Sequence, residues 1–182
     1  MRQFAYGVAL CALALGACSK TSENSAYDQS NVSGGMNEAA SNGAATAIDA
    51  AFVTDAMKGD NGEVAIGKLA EAQASSQAAK DFGAMLATDH GAHKDKVAAL
   101  ASANGIPVTD DPSEEGKANL DKLKGLKGTE FDKAFKAAMI DDHQKDIAKY
   151  EKQASSGDSE TATLAKDTLP TLRKHLSTAQ AL

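Results

Sequence analysis

The four histidines of this chain, with the carboxylates near them, are the residues whose types and spacing can do chemistry. Phe82, Leu86, Asp89 and His90 follow the pattern F-x3-L-x2-D-H, and Phe135, Met139, Asp142 and His143 repeat it as F-x3-M-x2-D-H. The match continues downstream, where His93 corresponds to Asp146 and Val97 to Tyr150. At the helical period, Phe82, Leu86, His90, His93 and Val97 form one stripe, and Phe135, Met139, His143, Asp146 or Ile147, and Tyr150 form another. A histidine interrupts each apolar stripe near its middle. Neutral imidazole and ionised carboxylate converging inside a helical bundle offer lone pairs where water does not compete, which is the chemistry of a transition-metal site. The same groups can instead satisfy one another in a polar core that sets helix register without an ion. Residue types alone leave both readings open.

Four long helices are needed to position these groups. The first is expected over residues 46–75, with the inward stripe Ile48, Phe52, Ala56, Gly59, Glu63, Ile66, Ala70 and Gln73, which turns Glu63 toward the core. Gly59, Asp60, Asn61 and Gly62 crowd poor helix formers together and predict a kink or break, with Asp60 or Asn61 capping the continuation. Ser75-Ser76 reads as a tight turn into a second helix over residues 77–104, ended by Gly105 and Pro107. Residues 106–127 form a long connection that contains Pro112 and a short helix from Ser113-Glu114-Glu115 to about Gly125. It is long enough to cross the bundle, as in ferritin-like folds.

The third helix is expected over residues 129–155 with Thr129 as its N-cap. Ser156-Gly157-Asp158 then turns the chain into a fourth over residues 159–181, with Leu164, Thr168, Leu172, His175 and Ala179 inward. Pro170 costs roughly 3 kcal/mol inside an uninterrupted helix. It predicts a kink or a restart at Thr168 that aims His175, or else a tolerated surface bend. Few aromatics, no Trp and abundant Ala, Leu, Lys and Glu agree with this all-α class. The expected architecture is a ferritin-like four-helix bundle with a long connection between its second and third helices.

Counting from the turns at about 1.5 Å per residue places Glu63 and His90 within about 3 Å of one depth. His175 misses the depth of His143 by about 9 Å on the same count, so it joins them only through a kink or a shifted turn. The candidate metal ligands are Glu63, Asp89, His90, Asp142, His143 and His175, with His93 and Asp146 around them, and the candidate ions are Fe, Cu and Zn. Neighbouring residues on a helix diverge by about 100°, so Asp89 and His90 do not both face one ion. No E-x-x-H pair of the di-iron type occurs. Met57, Met85 and Met139 do not cluster and read as core. The lysines between 117 and 136 read as a solvated face. There is no nucleophile elbow, P-loop, G-x-G-x-x-G or Cys-His zinc spacing, so no catalytic motif points to an enzyme.

The N-terminus accounts for both cysteines. Arg2 precedes an apolar stretch from Phe4 to Leu15, and Leu15-Gly16-Ala17-Cys18 resembles a bacterial lipobox. On that reading residues 1–17 are a signal peptide and Cys18 carries a lipid. The resemblance to such lipoproteins implies that Ser19, at the following position, goes with the periplasmic face of the outer membrane. The alternative is an ordinary cleaved signal and a soluble periplasmic or secreted protein. Residues 18–45, rich in Ser, Asn, Gly and Ala, read as a disordered tether spanning roughly 30 Å, ahead of one domain over residues 46–182. Net charge is −6. Loss of Arg2 leaves 18 basic against 25 acidic residues, or −7, with no basic stripe, so nucleic acid is not an expected partner. The expected partners are the membrane, through Cys18, and a metal ion.

Residues from about 49 to 182 resemble the domain of unknown function family 4142, described as exported and outer-membrane bacterial proteins of ferritin-like fold. The resemblance rests on Phe52-Val53, Glu63-Val64 with Gly67-x-Leu69-Ala70, Phe82 leading to Asp89-His90, and Asn104-Gly105-Ile106-Pro107. It continues through Gly128-x-x-Phe131-Asp132, Met139 leading to Asp142-His143, and Leu169-Pro170-Thr171-Leu172-Arg173-Lys174-His175-Leu176. Leu86 stands where Met is usual, and Gly59-Asp60 where Gly-Gly is usual. The resemblance implies a fold and an envelope location and carries no agreed activity.

Overall fold

The computed structural model describes residues 48–182; the expected signal peptide, Cys18 and the tether lie outside the described residues. Five helices follow: α1 (Ala50–Gln73), α2 (Gln77–Ala103), α3 (Glu114–Lys124), α4 (Gly128–Ala154) and α5 (Glu160–Ala181). Four begin at a side-chain cap, where Asp49, Ser76, Ser113 and Ser159 accept from the N–H of Phe52, Ala79, Gly116 and Ala162. α4 has no side-chain cap; Thr129, expected to provide one, lies within the helix. α2 closes with Gly105 at φ 67°, which lets Ile106 N–H donate to the Ala101 carbonyl at 2.9 Å. Among the described residues the only strand-type pairing is an isolated bridge between Ala74 and Gly128.

Hydrogen bonds between distant elements set the topology. Asp132, near the start of α4, accepts from Ser75 N–H, Ser75 Oγ and Ser76 N–H at 2.9, 2.6 and 2.9 Å. The start of α4 therefore sits beside the α1–α2 turn, and α4 runs parallel to α2. The long connection returns along α1: Asn61 Nδ2 donates to the Thr109 and Asp111 carbonyls, and Ser113 N–H donates to the Lys58 carbonyl. Near the other end of α1, Gln73 Nε2 donates to the carbonyls of Leu123 and Leu126. The connection, with α3 in it, thus crosses the bundle and gives the up-down-down-up order of its four long helices.

The break expected at Gly59–Gly62 is corrected. α1 runs unbroken through Gly59–Gly62. Burial of Asp60, Asn61 and Gly62, with the two hydrogen bonds of Asn61 to the connection, outweighs their poor helix propensity. α5 continues through Pro170 without a restart at Thr168, and Pro170 is exposed, in agreement with the alternative of a tolerated surface position.

The interior is layered. One apolar cluster, near the α1–α2 turn, contains Ile66, Ala70, Phe82, Leu86, Phe131, Phe135, Met139 and Ala179. A second, toward the other end, contains Phe52, Val53, Met57, Val97, Ala101, Tyr150, Leu169 and Leu172. Between them every long helix contributes buried polar groups: Asp60 and Glu63, His90 and His93, His143, and His175. α1 and α2 meet most closely at Gly67 and Gly83, where a Cβ on either residue would lie 2.6 Å from the carbonyl oxygen of the other.

Candidate metal centre

Each long helix brings its polar residue to this layer through the spacing of its apolar neighbours. His90 follows Leu86 by four residues, His143 follows Met139 by four, and His175 follows Leu172 by three, all on buried rows. Because α2 and α4 run parallel, the repeated pattern places like against like: Phe82 and Phe135 have ring centroids 5.6 Å apart, and His90 and His143 5.8 Å. His175 reaches the same layer, its centroid 5.2 Å from both His90 and His143. The expected depth mismatch is absorbed without a break at Pro170. The linker from Ser155 to Ser159 separates α4 from α5, so the turn centre does not fix the height of His175.

Three imidazoles converge with one ring nitrogen of each held from behind. His90 Nδ1 donates to Asp60 Oδ1 at 2.9 Å, His143 Nδ1 to the Met139 carbonyl at 3.0 Å, and His175 Nε2 to Asp89 Oδ2 at 2.9 Å. One nitrogen from each of the three rings lies within 4.8 Å of the others. His143 Nε2 and His175 Nδ1 are 3.2 Å apart. With the opposite nitrogens donating, the two rings in their neutral forms would present lone pairs to each other across that gap, so a proton or a cation is required between them.

Glu63 closes the site from α1. Its Oε2 lies 2.5 Å from His90 Nε2 and its Oε1 3.4 Å from His143 Nδ1. Neither contact is a regular hydrogen bond, so Glu63 and His90 meet here as an ion pair. Asp60 Oδ2 also accepts from His93 Nδ1 at 2.8 Å, so one carboxylate holds two rings. One oxygen each of Glu63, Asp142 and Asp146 also lie within 4.8 Å of one another.

Burial and charge pull these groups in different directions. Burial raises the pKa of Glu63, but the charges of His90 and His143 outweigh it and hold the carboxyl far below the usual range. Burial lowers that of His90, yet Glu63 and Asp60 raise it well above an ordinary imidazole. His175 is depressed by burial to about 4, so its ring is neutral at pH 7. Asp142 is pushed up to about 9 by burial and by the charge of Glu63, and Asp146 is raised for the same two reasons. The layer therefore combines an ionised carboxylate, an imidazole that retains its proton strongly and one that does not.

All six residues proposed from sequence lie in this layer. His90, His143 and His175 converge, and Glu63 touches two of them, His90 and His143. Asp89, one-third exposed, reaches His175, and Asp142 lies close to Glu63. Asp60 was not among them: its glycine neighbours suggested a cap. A usable signal was its i, i+3 spacing to Glu63, matched by the i, i+3 spacing of His90 and His93 on α2.

These features define an all-α bundle with a buried His, Glu and Asp cluster at mid-height. Residues 34–182 match the family described as Domain of unknown function (DUF4142), and the chain belongs to that family. No curated protein and no solved structure matches the chain.

Proposed function

We propose that the domain binds one transition-metal ion through His90, His143 and His175, with Glu63 as the charged ligand. The observation that carries this reading is the anchoring of all three rings. In each, one nitrogen donates to Asp60, Asp89 or a carbonyl, which aims the other at the shared centre, where it offers a lone pair whenever the ring is neutral. The donor set fits an ion of the Fe, Cu or Zn class. Two nitrogens held at about 2.0–2.1 Å on a tetrahedral ion lie about 3.3–3.4 Å apart, close to the 3.2 Å between His143 and His175. Both oxygens of buried Glu63 are otherwise unpartnered, as a ligand carboxylate requires. His175, neutral at pH 7, has no proton to lose on binding, whereas His90 must release one.

The setting we propose is metal or oxidative-stress handling in the periplasm, with a lipid on Cys18 tethering the bundle to the outer membrane. That part rests on Leu15-Gly16-Ala17-Cys18 and Ser19, which lie outside the described residues. No described helix is long and apolar enough to cross a membrane.

A second reading is favoured by one specific contact set. His90 lies between Asp60 and Glu63, so a protonated imidazole between two carboxylates can serve as a metal-free register lock, in a structural or protein-interaction module. Elemental analysis of the full-length protein, followed by Fe(II), Cu and Zn titration with melting monitored, separates the two. Metal binding predicts stoichiometric ion, a raised melting temperature and loss of both in His90→Ala and His143→Ala with helicity retained. No bound metal and no thermal shift at tens of micromolar ion leaves the register lock.

A further inference from the structure

Glu63 faces two ways. Toward the bundle axis it meets His90 and His143; toward α4 it meets Asp142 and Asp146, one turn apart on a single helix face. Those three carboxylates line a cleft of about 300 Å³ between α1, α4 and the start of α3. Glu63 is 2% exposed and neither of its oxygens has a hydrogen-bond partner. Asp146 has Lys149 at 3.2 Å, whereas Lys145 is engaged by Glu115 and Asp141. Lys58, Lys145 and Lys149 line the same cleft, but only Lys149 reaches one of the three acids, and His90 meets Glu63 from the other side at 2.5 Å.

We propose that Glu63, Asp142 and Asp146 hold a second, oxygen-ligated divalent cation on the cleft side, with Glu63 shared between this site and the imidazole site. Carboxylate oxygens suit hard ions such as Mn²⁺, Mg²⁺ or Fe²⁺, which keep several waters when few protein ligands are present, and the cleft has room for those waters. The imidazole side suits softer borderline ions, so the two faces of Glu63 select different metals. The cleft is also the solvated approach to Glu63, bounded by the close passage of Gly62 and Gly116, where a Cβ on Gly62 would meet Gly116 Cα at 3.2 Å. The sharing of Glu63 rests on the histidine reading above; the three-carboxylate site does not.

The test is Mn(II) titration of metal-free full-length protein, read as loss of the free-ion electron paramagnetic resonance signal, beside Co(II) titration read by its visible absorption. Wild type takes one Mn(II) and one Co(II). Asp142→Asn and Asp146→Asn each weaken Mn(II) binding at least tenfold and leave the Co(II) spectrum in place. His143→Ala does the reverse, and Glu63→Gln weakens both. The Asn changes are isosteric and reduce repulsion, so the fold is retained, as circular dichroism would verify. Mn(II) binding indifferent to both Asn changes, or absent at millimolar ion, overturns the carboxylate site. Mn(II) binding without any Co(II) binding upholds it and overturns the histidine reading instead. A Glu63→Gln change that affects Co(II) alone overturns the sharing.

Discussion

His143 Nε2 and His175 Nδ1 face each other at 3.2 Å with their opposite ring nitrogens already donating, one to the Met139 carbonyl and the other to Asp89. Asp89 thus acts on the centre through His175, fixing which nitrogen carries the proton. Asp89→Ala frees that tautomer, and loss of such an orienting carboxylate lowers metal affinity by about 10–100-fold. Competition with a chromophoric chelator measures it. The side chain of Asp89 is one-third exposed, 33%, so the melting temperature of the metal-free protein changes little. Unchanged affinity would remove Asp89 from any orienting role.

Asp60 is expected to matter more for stability than any ligand. Its two oxygens accept from His90 and His93, and it is 3% exposed. Asp60→Ala leaves both buried rings without their acceptor, a loss of about 3–5 kcal/mol by analogy with broken buried pairs. Urea denaturation of metal-free protein reads it directly. A loss below about 1 kcal/mol would mean that water replaces the carboxylate.

Asp142 predicts a pH dependence whose sign is fixed. Its folded carboxyl titrates at about 9, against about 3.9 in an unfolded chain. Between those values the folded protein holds a proton that the unfolded chain has released, so this group makes stability fall as pH rises. Asn carries no such proton. In chelator-treated protein, the stability of Asp142→Asn relative to wild type should therefore grow from pH 5 to pH 8, by no more than about 1.4 kcal/mol per pH unit. A difference that is flat with pH, measured by urea denaturation, would show that Asp142 is ionised in the folded state.

Much of this layer could be read from the chain, for identifiable reasons. The stripe of α2 and α4 is strongly periodic, so Phe82, Leu86, His90, Phe135, Met139 and His143 were placed inward, and they are buried. The repeated D-H pattern reflects a shared layer on parallel helices, a relation that depends on the long connection crossing the bundle. Asp60 was hidden for a physical reason: local propensity around Gly59–Gly62 argued for a break, while tertiary burial and Asn61 kept the helix intact. The inward row of α1 also has a second file, Val53, Met57, Asp60 and Gly67, which a single stripe omits. Leu164 and Thr168, expected inward on α5, are only partly buried, and Ala165 and Leu169 take the core positions beside them. A proline in the fourth helix gave no help in finding that face.

The contact between Gly67 and Gly83 supports a final prediction. A methyl group at Gly67 would lie 2.6 Å from the Gly83 carbonyl oxygen and 2.8 Å from Ala87 N, both backbone atoms that no rotamer change can move. Ala is the better helix former by about 1 kcal/mol, so propensity alone predicts that Gly67→Ala stabilises the protein. The clash forces α1 and α2 apart, and overpacking of this kind costs about 1–3 kcal/mol or more. The net effect expected is destabilisation. Gly91 supplies the control, because a Cβ there meets nothing within 4 Å; Gly91→Ala should raise stability by up to about 1 kcal/mol through propensity alone. Glu63 lies one turn before Gly67, so the separation of α1 from α2 also moves Glu63 away from His90. Gly67→Ala should therefore lower metal affinity as well as stability, and Gly91→Ala neither. Equal and favourable melting shifts in the two variants would show that α1 and α2 are not held at glycine contact distance.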